Sequence, residues 1–156
     1  RFVAAVSEEE RDDLISAYHR RLFSGNLLEE TKAARVWAAW ENALASVQSA
    51  GMFGESPADY ARAFARLENH YFVNAGFLES DGWIMANRGR IEHIPAVIVQ
   101  GRYDMICPPV SASKLASGWA KADLRIIPMA GHALSEPGIS EALVAAMDTL
   151  RGVHGG

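Results

Sequence analysis

Ile94-Pro95-Ala96-Val97-Ile98-Val99-Gln100-Gly101-Arg102-Tyr103-Asp104 is the stretch on which the fold turns. Val97, Ile98 and Val99 form a β-branched run with proline before it and glycine after it, the pattern of a strand buried on both faces. Asp104 falls just past the carboxyl end, where open α/β sheets place their chemistry. Downstream, Leu124-Arg125-Ile126-Ile127-Pro128 predicts a second strand, followed at once by Met129-Ala130-Gly131-His132. A helix from about Pro109 to Trp119, packing through Val110, Leu115 and Trp119, joins the two as a right-handed crossover, which makes the strands parallel. Two strand ends thus deliver an Asp and then a His to one edge of a sheet.

That order carries information. In α/β-hydrolases the catalytic triad runs Ser, then Asp or Glu, then His. The acid fixes the imidazole tautomer and stabilises the imidazolium, while the His takes the proton of the nucleophile. Taken alone, an Asp after a strand serves equally as a helix cap or turn residue, and a Gly-His pair says no more. Their placement on successive strand ends points to Asp104 and His132 as a catalytic pair. No Gly-x-Ser-x-Gly occurs in the 156 residues, and no serine falls on a strand-to-helix elbow.

Length and composition fit an ordinary globular chain, at 49% hydrophobic and 22% charged residues. A net charge of −4 without a Lys/Arg cluster argues against nucleic acid or anionic membranes as partners. The single cysteine, Cys107, excludes an internal disulfide framework and points to a reducing, cytoplasmic setting. No apolar run reaches transmembrane length, and Arg1-Phe2-Val3 opens no signal peptide. With no initiator Met, the sequence is expected to start within a longer protein or after processing. No metal-ligand spacing occurs among His19, His70, His93, His132, His154 and Cys107. The pair Gly51 and Gly54 follows a helix rather than a strand, so neither a metal nor another cofactor is expected. Cys107 reads as a small buried hydrophobe close enough to the acid loop for thiol reagents to inhibit.

The amino-terminal part reads as helices. Ser7 with Glu10 forms a capping box, and Leu14, Ile15, Tyr18, Leu22 and Phe23 recur at helical spacing until Ser24-Gly25-Asn26. His19, Arg20 and Arg21 fall on the solvated face. A second helix from about Leu28 to Ser49 carries Ala33, Val36, Trp37, Trp40, Leu44 and Val47 as one apolar stripe. Glu41 lies at the edge of that stripe and reads first as a rim glutamate. Ser56-Pro57 begins a third helix, with Tyr60, Phe64, Leu67 and Tyr71 on its buried face. Glu68 sits between Phe64 and Phe72, where an unpaired carboxylate is costly, so it is expected to need a cationic partner, although no Lys or Arg lies one turn from it. Residues 73–93 form an irregular return with a short helix around Trp83 to Asn87. After His132, Glu136-Pro137-Gly138 opens a last helix burying Ile139, Leu143, Ala146, Met147 and Leu150, with a frayed tail from Gly152.

The wording of 94–104, with Cys107-Pro108, Ile127-Pro128, Gly131-His132 and Ser135-Glu136-Pro137-Gly138, closely resembles proline iminopeptidases, serine aminopeptidases of the α/β-hydrolase fold. Ala33-Ala34-Arg35-Val36-Trp37-Ala38-Ala39-Trp40-Glu41 and Leu67-Glu68-Asn69-His70-Tyr71-Phe72 are similar to the cap-domain helices of that family. The resemblance covers nearly the whole chain but only the carboxyl-terminal half of the family. It implies an α/β chain: the last two parallel strands and flanking helices of an α/β-hydrolase at 91–156, preceded by helices of the cap domain at 1–90. It also implies that Glu41 and Glu68 bind the free α-amine of a peptide with amino-terminal proline. His132 would act as general base and Asp104 as its orienting partner. The serine and most of the oxyanion hole are then expected from a separate amino-terminal half, so residues 1–156 alone should be inactive and should pair or aggregate through an open strand edge. Two other readings share these residues: a capped hydrolase of esters or other small molecules, and a non-catalytic subunit or fragment. Paired carboxylates favour the aminopeptidase, because a neutral ester offers them no charge.

Overall fold

The computed structural model describes residues 1–47 and 55–154. The predicted end of the second helix at Ser49, the glycines Gly51 and Gly54, and the last two tail residues lie outside the described residues. The chain divides into two compact units. One comprises residues 1–43 and 55–81, the other residues 44–47 and 82–154.

The first unit is helical: α1 (Leu14–Leu22), α2 (Leu27–Ala45, whose last two residues count with the second unit) and α3 (Ala58–Val73). The Ser7–Glu10 capping box is present, but it closes a single 3₁₀ turn, Glu8–Glu10. The α-helix starts only at Leu14, where Asp13 accepts from the Ser16 N–H at 3.0 Å. Trp37 and Tyr18 pack edge to face in the centre, with ring centroids 5.4 Å apart. Burial pushes the Tyr18 phenol up to about 12, and its hydroxyl donates to the Phe2 carbonyl at 2.9 Å.

Helix α3 turns a different face inward from the one its large residues predict. Ala61, Ala65 and Asn69 are buried, whereas Tyr60, Leu67 and Tyr71 are exposed. Small residues let the α1 and α3 backbones approach closely, and that approach is fixed by polar bonds. Asn69 donates to the Ile15 carbonyl at 3.0 Å and meets His19 Nδ1 at 2.7 Å. His19 and Arg21 are therefore engaged rather than simply solvated, since Arg21 also pairs with Glu10 at 2.5 Å. Pro57, not Ser56, occupies the cap position of α3. Of the expected stripe, Trp40 on α2 is exposed, as is Val47, which falls past the end of that helix, while Ala34 and Ala38 of α2 are buried. A buried carboxylate, Glu30, ties α2 to α3 by accepting from Arg62 at 2.6 Å. That guanidinium holds its carboxyl below the usual range.

The second unit is built on two parallel strands, β1 (Ala96–Gly101) and β2 (Ala122–Ile127), paired from Ala96↔Ala122 to Gly101↔Ile127. Around them are α4 (Trp83–Ala86), α5 (Pro109–Ala116) and α6 (Pro137–His154). The strand residues are half-buried rather than enclosed. Among the described residues each strand has only one neighbour, so an outer edge of each carries no ladder. Trp119 is buried and donates to the Ile94 carbonyl at 3.0 Å. Val110 and Met147, expected to pack, are exposed; Ala112 is buried on α5, and Ala146, expected inside, is buried on α6. Helix α6 continues through His154, past the point where fraying is predicted. No helix among the described residues is long and apolar enough to cross a membrane.

At the carboxyl ends of the strands the backbone closes tightly on itself. Arg102 N–H donates to the Ile127 carbonyl at 3.0 Å, and Tyr103 N–H to the Ala130 carbonyl at 2.9 Å. A Cβ on Gly101 would lie 2.6 Å from the Ala130 oxygen and nearer still to that of Gly131. Neither obstacle is a side chain that could rotate away. Gly101→Ala is therefore predicted to destabilise the full-length protein by roughly 3 kcal/mol or more, at the upper end for overpacking. Urea denaturation measures this, and a wild-type midpoint would contradict the close approach.

Candidate active site

Asp104 stands three residues past β1 and His132 five residues past β2. The structure brings them into contact: His132 Nδ1 lies 3.0 Å from Asp104 Oδ2. A carboxylate there accepts, so Nδ1 carries the proton and Nε2 is the basic nitrogen. The His132 side chain is 42% exposed and that of Asp104 only 6%, which gives one partner access to a reactant and the other shelter from water.

Asp104 is held on every side the loop offers. Its Oδ1 accepts from the backbone N–H of Ile106 at 2.9 Å and of Cys107 at 2.7 Å. Gln100, at the end of β1, donates to Oδ2 at 3.1 Å and reaches the Cys107 carbonyl at the same distance. Burial raises the Asp104 carboxyl, but the Cys107 N–H, His132 and the Ile106 N–H together outweigh it, so the group titrates below its ordinary range. An acid that stays ionised is what an orienting partner for imidazole needs. Cys107 contributes backbone here, and the residue is exposed, contrary to its reading as a buried hydrophobe.

The loop before His132 is equally constrained. The N–H groups of His132 and Ala133 both donate to the Ala45 carbonyl, at 2.7 and 2.8 Å. Gly131 N–H donates to Glu136 Oε2 at 2.8 Å. Glu136, 2% exposed, also accepts through Oε1 from the Val47 N–H at 2.8 Å and from the Ser46 hydroxyl. Sequence reading placed Glu136 as the opener of a helix and within the wording at 135–138, and assigned it no role. Its preference for burial beside a glycine-histidine turn leaves no periodic signal.

In the helical unit, Glu68 finds its partner in an aromatic donor rather than a cation: Trp37 Nε1–H donates to Oε2 at 2.6 Å. Trp37 also packs near Phe72, with centroids 6.0 Å apart. Residues four apart on a helix are neighbours, so Glu41 stands one turn along α2 from the residue that holds Glu68. Glu41 is half-buried. A cavity of about 580 Å³ opens in the same unit, lined in part by Phe2, Arg35, Val36 and Trp40, and neither glutamate lines it.

No protein-family model matches the chain. It is similar to the proline iminopeptidase of Xylella fastidiosa (strain Temecula1 / ATCC 700964), with 46% identity over 96% of this chain and 48% of that protein. A probable proline iminopeptidase of Leptolyngbya boryana is 44% identical over 94% of the chain and 46% of its own length. For the proline iminopeptidase of Arabidopsis thaliana the values are 43%, 96% and 40%. The chain spans about half the length of the curated relatives it matches, as the carboxyl-terminal half of an α/β-hydrolase would. Over nearly all of its own length, then, the chain is homologous to about half of a proline iminopeptidase.

Proposed function

We propose that this chain supplies the acid–base pair and the amine-binding carboxylates of a serine aminopeptidase that releases amino-terminal proline from peptides. The observation that carries the reading is the 3.0 Å contact between His132 and Asp104 at the ends of adjacent parallel strands. The likeness to proteins named proline iminopeptidase supports the substrate class. In this scheme a serine from outside these residues attacks the prolyl carbonyl while His132 Nε2 takes its proton. His132 then protonates the departing amine, and water, activated by the same nitrogen, releases proline from the acyl-enzyme. Asp104 holds Nδ1–H and stabilises the imidazolium without taking the proton. Glu41 and Glu68 receive the ammonium of the substrate. Trp37 engages only Oε2 of Glu68 among the described bonds, and an ammonium brings three donors. Residues 1–156 alone, lacking the nucleophile, are inactive on this reading.

In the full-length enzyme His132→Ala and Asp104→Asn should each lower turnover of a prolyl arylamide by roughly four orders of magnitude, with thermal melting retained. Wild-type turnover in either variant would remove the assignment.

Glu68→Gln keeps an oxygen for the Trp37 indole and removes the charge. It and Glu41→Gln should lower kcat/KM for free-amine substrates by about tenfold to a hundredfold, the loss of one charged hydrogen bond. Amine-blocked substrates should change little. Equal effects on both classes would make these glutamates structural.

A further inference from the structure

The proposed chemistry uses Asp104 and His132 and leaves unexplained why a second carboxylate, Glu136, is almost fully buried close to the histidine in sequence. Burying a carboxyl group is costly unless donors converge on it. Here they do, and they come from two places far apart in sequence. Gly131 N–H belongs to the turn that presents His132. Ser46 and Val47 belong to the segment leaving α2. Glu136 therefore clamps the residue before the histidine to the end of α2, and the Ala45 carbonyl completes the clamp by accepting from His132 and Ala133. Both glycines in this region are sterically committed: a Cβ on Gly131 would lie 2.9 Å from the Ala45 oxygen. The imidazole projects from backbone fixed on two sides.

We propose that Glu136 is a positioning residue for His132, setting the backbone from which Nδ1 reaches Asp104. The inference rests on the reading of Asp104 and His132 as the catalytic pair. A misplacement of about 1 Å in a catalytic group costs on the order of a hundredfold in rate. Glu136→Gln puts an amide NH₂ where an oxygen now accepts, so at least one of the described donors faces a donor.

The test uses the full-length enzyme, a prolyl arylamide, and active-site titration with a fluorophosphonate so that rates refer to competent sites only. Glu136→Gln should lower kcat per titrated site by about tenfold to a hundredfold and leave KM within about twofold. A purely structural glutamate would instead reduce the number of titratable sites, with kcat per site unchanged, and that result would overturn the proposal. Should Glu136→Gln fail to fold, Ser46→Ala decides, since it removes one donor and leaves the carboxylate. It should lower kcat per site by about threefold to tenfold at unchanged KM, and wild-type kcat would overturn the proposal. His132→Ala separates the two levels. If it is inactive while Glu136→Gln turns over normally, only the positioning role falls. If it retains turnover, the reading of the pair falls and the positioning role with it.

Discussion

The carboxyl ends of β1 and β2 can meet only because Gly101 has no side chain. The Ala130 and Gly131 carbonyls occupy the space that a Cβ would take. From that contact follow the backbone bonds of Arg102 and Tyr103, the approach of the two loops and the seating of Asp104 against His132. Asp104 is then ordered by its own loop, through two backbone N–H groups and Gln100, before the histidine is considered. A carboxylate prearranged in this way costs little reorganisation when the imidazole becomes charged.

The helical unit solves a different problem with similar means. It brings the α1 and α3 backbones close through small residues, then uses polar groups to fix how its helices meet. Glu30 with Arg62, Asn69 with Ile15 and His19, and Trp37 with Glu68 each bridge two helices. The last of these pins a carboxylate by a neutral donor. An indole orients Glu68 without cancelling its charge, which would suit the ammonium-binding role proposed for it better than an arginine partner would.

The strands, their parallel pairing and the Asp104–His132 pair were legible because each depends on local pattern: a β-branched run, a bounding glycine, a polar residue just past the end. Quoted motifs then extended the reading to Glu41 and Glu68. Illegible were contacts whose partners lie far apart in sequence. Nothing near Glu136 announces Ser46, and nothing near Glu68 announces the Trp37 indole as its donor. The inward face of α3 was misread for a related reason. Large residues usually mark the buried side, but here Ala61 and Ala65 are inside because close helix packing outweighs the burial of Leu67 and Tyr71. Cys107 was misplaced because the acid loop uses its backbone N–H, which asks nothing of side-chain burial.

The central claim is that this pair works on an amino-terminal prolyl bond. The most direct measurement incubates the full-length protein with three substrates: a peptide beginning with proline, the same peptide with proline moved to the second position, and a simple aryl ester. Mass spectrometry follows the products. The account predicts free proline from the first peptide, no cleavage of the second, and slow turnover of the ester. Rapid ester hydrolysis with both peptides left intact would contradict it.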